Sequence, residues 1–168
     1  MEVSWLMADS TTISYDDIFS SFLGNITDYS LAKLSEEQAN KLMTELLRKA
    51  KSTFYVKRMF KTINLDDGLG EITYKMKYPS DDSEDDKDFV ITVLGKAMVY
   101  YWYDPKVHNT LLTNQMISDT DKKFYSQAQH FSTLSSAQEN VKLEVRKLIK
   151  ERQSEYNSYL IEGKHTAS

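Results

Sequence analysis

The side chains that most often carry enzymatic chemistry are few and scattered in this sequence. His108, His130 and His165 are the only histidines, the side chains best suited to moving a proton near neutral pH or ligating a transition metal. No two of them stand four residues apart, the spacing that sets two ligands on one helical face, so each reads as a loop or surface residue. Serines are numerous, yet none lies in G-x-S-x-G, whose strand-to-helix turn exposes a nucleophile. Gly68-Leu69-Gly70 lacks the third glycine and the strand-to-helix setting of a phosphate-cradling loop. Cysteine is absent, which removes disulfides, thiolate catalysis, zinc thiolates and iron-sulfur ligation together.

Oxygen ligands are concentrated in Ser80-Asp81-Asp82-Ser83-Glu84-Asp85-Asp86-Lys87-Asp88. A calcium loop of the EF-hand kind needs glycine at its sixth position and glutamate at its twelfth, and this run has neither. It reads as a solvated acidic loop, with Asp86 and Asp88 set against the positive end of the helix that follows. The other acidic pairs also fall in polar runs, away from the apolar surroundings that raise a carboxyl pKa. The expectation is a protein with no catalytic residue, no cofactor and no metal, and hence not an enzyme.

A chain of 168 residues suits one domain, large enough to bury roughly two thirds of its unfolded surface without covalent staples. With 25 acidic against 21 basic residues and a formal charge of −4, the whole chain shows no basic excess, which disfavours tight DNA binding. In MEVSWLMADS, Glu2 stands where a signal peptide carries positive charge and the apolar run stops at Ala8. Neither a secretion signal nor a membrane anchor is expected.

The positioning elements are dominated by Phe89 to Pro105, FVITVLGKAMVYYWYDP, interrupted only by Thr92, Gly95 and Lys96 before Asp104. A segment apolar on nearly every helical face belongs inside something, and this one is short of the roughly twenty residues that span a bilayer. It reads as a central core helix from about Lys87 to Tyr103, stopped by Pro105, with Phe89, Val93, Met98 and Trp102 in the core. Before it, Ser14 with Asp17 caps a helix to Ile26 bearing Ile18, Phe19, Phe22 and Leu23 on one face. Ser35 to Gln38 is a full capping box for a second helix, Glu36 to about Phe54, with its stripe of Leu42, Met43, Leu46, Leu47 and Ala50.

Glu71 to Tyr78, EITYKMKY, alternates strictly and reads as a half-buried strand, paired through the Leu65 to Gly70 turn with Val56 to Ile63. Residues 1 to 13 read as an arm with one aromatic anchor, Trp5. Lys106 to Tyr125 shows no clear period and reads as a long loop. Ser126 to Gln129 reads as an S-x-x-Q cap for a last helix, Gln127 to Tyr159. Phe131, Leu134, Val141, Val145 and Leu148 follow in it near heptad spacing. That helix is either a coiled-coil strand or an element whose first half packs on the central helix while its second half extends towards a partner. The expected architecture is mainly α, about four helices in a bundle around the central one, with a small β-hairpin insertion. One domain covers 1–168: an arm at 1–13, a hairpin and acidic loop at 56–88, and a C-terminal segment at 150–168.

Two stretches go further: Met98 to Leu112, MVYYWYDPKVHNTLL, and Phe124 to His130, FYSQAQH. Together they resemble the head-to-tail connector (adaptor) proteins of tailed bacteriophages. In that family an apolar helix ends in tryptophan and proline, followed by an Asn-Thr-Leu-Leu loop and a Tyr-Ser-Gln-Ala-type start to a long charged helix. The likeness covers residues 85 to 160, and residues 56 to 88 have no counterpart in it. It implies a virion protein assembled in the host cytoplasm, forming a ring of twelve copies at the head-tail junction. The ring would join the portal protein to the next neck, stopper or tail protein. DNA would pass through the lumen without sequence-specific binding. The resemblance places portal docking on Leu148, Arg152, Tyr156, Tyr159, Leu160 and Ile161. Contacts to neighbouring subunits or neck proteins fall to Trp5, Asn109, Leu111, Leu112, Met116 and Tyr125. Deleting residues 150–168 is then expected to leave a folded domain that no longer binds portal. Two rivals are a helical coiled-coil interaction or regulatory protein and a metal-dependent enzyme using the acidic run.

Replacing Trp102 by alanine should cost about 3 to 5 kcal/mol, the usual range for an emptied aromatic core site. A chemical-denaturation midpoint unchanged by that substitution would remove the central helix from the core.

Overall fold

The computed structural model describes residues 10–27, 29–116 and 121–156. It is mainly helical, with four main helices packed together and a small three-stranded antiparallel sheet. Strand β1 (Thr11–Ser14) leads directly into helix α1 (Tyr15–Gly24), and a 3-10 turn at Tyr29–Lys33 precedes α2 (Glu36–Ser52). A single helical turn, α3 (Phe54–Lys57), leads into β2 (Phe60–Asp66) and β3 (Glu71–Met76). Two long helices, α4 (Ser83–Met116) and α5 (Asp121–Tyr156), complete the chain.

The helix starts follow their local chemistry. Ser14 accepts from the Asp16 amide, a simple cap rather than the expected pairing with Asp17. Ser35 and Gln38 make the reciprocal capping box expected of them, the Ser35 hydroxyl accepting from the Gln38 amide and the Gln38 side chain from the Ser35 amide. In α2 the stripe of Met43, Leu46, Leu47 and Ala50 is buried while the opposite face stays exposed.

The sheet is larger and better integrated than a hairpin insertion. Its order is β1-β3-β2, with Ile13 opposite Ile72 on one side and Ile63 opposite Tyr74 on the other. Strand β3 therefore sits in the middle, and its alternation is realised: Ile72, Tyr74 and Met76 are buried beneath partly covered Thr73 and Lys75. The expected partner strand, Val56 to Ile63, is displaced. Val56 belongs to the turn α3, and β2 starts four residues later and ends three later, with a register irregularity between Phe60 and Thr62. That irregularity spoils the alternation at the point where the strand begins. Part of the expected N-terminal arm is β1, a strand too short and too polar to announce itself.

The turn between β2 and β3 has the chemistry its sequence promised. Asp66 accepts from the amides of Gly68 and Leu69, and Gly70 takes a left-handed backbone, φ 67°. Asp67 fastens this turn to the helices: the Tyr15 hydroxyl donates to it at 2.7 Å, and Arg48 pairs with its other oxygen. The Tyr15 hydrogen bond first, then Arg48, hold the Asp67 carboxyl below its usual range. Burial, and next its bond to Asp67, push the Tyr15 phenol well up.

Helix α4 is the centre of the molecule. Val90, Val93, Leu94, Ala97, Met98 and Val99 are at most 3% exposed, because α1, α2 and α5 pack around this stretch. Trp102 lies at the far end of the core, edge-on to Phe22 at 6.0 Å between centroids. Phe89 is only half-buried, at the rim.

Pro105 does not end the helix, which continues to Met116. Proline removes the amide that would bond the Tyr101 carbonyl, a local loss that the neighbouring turns withstand. Beside it Gln138 of α5 donates to the Tyr100 carbonyl at 3.3 Å and to the Asp104 carboxylate at 3.1 Å. The expected loop at 106–125 is accordingly helical over its two ends, at 106–116 and 121–125. Helix α5 starts earlier than expected, at Asp121, so Ser126 to Gln129 lie within it rather than capping it.

Gly95 sets the closest approach of α1 to α4. A β-carbon there would lie 2.5 Å from Ser21 Oγ, 2.8 Å from Ser21 Cβ and 3.1 Å from the Phe22 amide nitrogen. Gly95→Ala should therefore lower stability by about 1 to 3 kcal/mol through overpacking, against a helix-propensity gain of no more than about 1 kcal/mol. Urea denaturation would show it, and a raised midpoint would contradict the close crossing.

Candidate interaction site

Among the described residues, no group of three or more histidine, aspartate or glutamate side chains converges as a metal site would require. No helix among them is long and apolar enough to cross a membrane. The features that distinguish this chain lie along the antiparallel pair α4–α5.

The register of that pair is fixed by three polar contacts spread along it. Gln138 reaches Tyr100 and Asp104, Lys96 pairs with Glu144 at 2.8 Å, and Arg152 meets Asp85 and Asp86. The third is the strongest. Arg152 is 8% exposed and Asp86 7%. The guanidinium donates to Asp85 at 2.7 Å and to the Asp86 carboxylate. It lies between two rings, 5.0 Å from Phe89 and 4.3 Å from Tyr156. Asp86 also accepts from the Ser80 amide. The acidic run is thus not wholly a solvated loop: from Ser83 it is the first turn of α4, with Asp86 turned inward to the arginine. Sequence reading missed this pairing because its members stand 66 residues apart.

This geometry changes the expectation for α5. Its second half, anticipated as the part reaching towards a partner, is the half that is buried. Val145, Ile149 and Arg152 face the core, and Leu148 and Tyr156 are half-buried beside them. The step of three to four residues that reads as a heptad seam is the face laid on α4. Three of the expected docking residues, Leu148, Arg152 and Tyr156, therefore make their contacts within the domain. A deletion from residue 150 would take away Arg152 and leave Asp86 buried without its cation, so it would not leave an intact fold. Tyr159, Leu160, Ile161 and Trp5 lie outside the described residues.

The other halves of the two helices project beyond the core. Among the described residues, none at 103–109 or 129–140 is buried, although Tyr103, Val107, Phe131 and Leu134 are partly covered. Lys106 folds back with its ammonium 4.4 Å from the centre of the Trp102 ring, where burial lowers its pKa. From Tyr103 to Met116, at 1.5 Å per residue, this two-helix arm reaches about 20 Å. Asn109 is exposed on it, Leu111, Leu112 and Met116 lie in the last turns of α4, and Tyr125 lies near the start of α5.

The chain matches no family model, no curated protein and no solved structure.

Removing one member of a buried ion pair leaves a desolvated charge uncompensated. Arg152→Ala should destabilise the protein by about 3 to 5 kcal/mol, while Arg152→Ala combined with Asp86→Ala should recover part of that loss. Thermal or urea unfolding of the two variants measures it. Equal losses in both would mean that the pair does not act as a unit.

Proposed function

We propose that this protein is a non-enzymatic structural subunit of the head-to-tail junction of a tailed bacteriophage, a connector that assembles as a ring between the portal and the next neck or tail protein. The observation that carries this reading is a convergence of sequence and geometry. The two stretches that resemble connectors, Met98 to Leu112 and Phe124 to His130, are distant in sequence but fall on the two paired helices, the first running from the core into the arm on α4 and the second on the first half of α5. A two-helix arm whose described residues are nowhere fully buried has spare surface for a neighbour. A ring needs such a surface, because cyclic assembly joins two different patches of each subunit.

In this reading the core and the arm have separate tasks. Helix α4, clasped by α1, α2 and α5, fixes the arm at its base. The arm tip, with Asn109, Leu111, Leu112, Met116 and Tyr125, meets the neighbouring subunit or the stopper protein. Portal docking falls to the residues after Tyr156, including Tyr159, Leu160 and Ile161, since those before it are engaged in the fold. DNA passes through the lumen, where a net negative chain does not hold phosphates.

The test is a pull-down with portal protein combined with light scattering near physiological salt. The connector reading expects a chain with no stable dimer of its own that joins portal in a large ring. Removal of residues 157–168 should abolish portal capture with the thermal midpoint kept. A stable dimer that ignores portal would instead establish the coiled-coil interaction protein.

A further inference from the structure

The formal charge of −4 conceals a divided surface. From Leu46 to Thr62 the chain carries no acidic residue. Lys51, Lys57 and Lys61 line a hollow of about 430 Å³ between the end of α2, the turn α3 and the start of β2. On the other flank of α3, Arg146, Lys147 and Lys150 of α5 line a second hollow of about 320 Å³ with Tyr55 and Arg58. Among the described residues no carboxylate lines either one, and Glu151 and Glu155 meet Lys147 and Lys150 only in a separate, open hollow. Lys147 approaches Glu151 only to 3.8 Å, with both side chains largely exposed, so that pair neutralises the cleft little.

The matching surface is on the same chain. At the start of α4, Asp81, Asp82, Glu84 and Asp88 are exposed. Glu84 is answered by Lys87 at 2.6 Å, whereas no lysine or arginine among the described residues pairs with Asp81 or Asp88. The α5 part of the cleft faces away from the acidic run of its own copy. Arg152 is the α5 cation that meets the acidic run, and Lys150, two residues earlier, lies about 200° around the helix from it.

We propose that the cationic cleft beside α3 docks the acidic start of α4 from a second copy of this chain. Two different patches meet in such a contact, so it is heterologous and propagates head to tail. Shape and chemistry favour this occupant over nucleic acid. The cations surround two hollows rather than forming a stripe, and the described aromatic residues that line them are buried (Phe60) or half-buried (Tyr55) rather than open platforms on which bases could stack. The inference does not rest on the connector reading: self-association of the isolated chain and capture by portal are separate measurements.

The contact is electrostatic and lies at exposed side chains, so salt must weaken it as the screening length falls from about 10 Å at 0.1 M to about 3 Å at 1 M. Light scattering of the full chain at low salt should give a mass above the 19.5 kDa of the monomer, rising with protein concentration and returning to that value at high salt. Lys147→Glu with Lys150→Glu, and separately Asp81→Lys with Asp88→Lys, should each weaken association at least about tenfold, as expected when interface charges are reversed. An equimolar mixture of the two variants should associate again, because each reversed patch then finds its complement. That rescue excludes simple misfolding. A monomeric mass at low salt, or variants that associate like the parent, would overturn the proposal. Labelled duplex DNA bound through Lys147 and Lys150 with the mass unchanged would also overturn it, assigning the cleft to phosphates.

Discussion

The constraint on which the rest of the structure depends is that the apolar length of α4 must be covered on nearly every side. Of the stretch from Val90 to Val99 a narrow strip at Thr92 and Lys96 meets solvent, while Val90, Val93, Leu94, Ala97, Met98 and Val99 are buried. Helices α1, α2 and α5 surround it, and each approaches by a different physical device. Gly95 lets α1 come within backbone distance, α2 offers a continuous aliphatic stripe, and α5 joins through polar contacts that fix its register. The sheet completes the core from the side of Ile13, Ile72 and Tyr74. Burial pushes the Tyr74 phenol up to about 12, with the neighbouring Thr11 hydroxyl partly opposing the shift.

Much of this was legible because it is local. The capping box at Ser35, the stripe of α2, the strict alternation of β3 and the apolar density of α4 are each contained within about a dozen residues, the range over which periodicity carries information. What escaped was either non-local or cancelled by a competing signal. Strand β1 has four residues and becomes a strand only because β3 lies beside it. Strand β2 begins at an irregularity that breaks its period. Pro105 reads as a stop, yet one missing hydrogen bond does not outweigh the helical turns on both sides. Residues 106–125 show no clear apolar period, yet 106–116 and 121–125 are helical.

The candidate site was legible in a different sense. The resemblance singled out Asn109, Leu111, Leu112, Met116 and Tyr125 as loop residues, whereas they fall within α4 and α5. It also assigned docking to Arg152 and Tyr156, which the fold engages internally. An exposed charge and a buried one look alike in sequence, and Arg152 is distinguished only by Asp85 and Asp86, far away in the chain. The same blindness affects net charge. A sum over the whole chain described a mildly acidic protein, whereas its surface carries separate regions of opposite sign.

One long helix serves both the closed core and the slender arm, so resistance to local opening is graded along a single backbone. Before Trp102 a turn of α4 can open only by exposing side chains from three other helices. Beyond Pro105 it has one helical neighbour, and one backbone bond is already missing at the boundary. Free energies of opening follow the apolar contacts that must be broken, so the arm can fray and re-form while the core stays shut. The proline thus marks where the chain changes from a part that must be unfolded globally to a part that can be remodelled on its own.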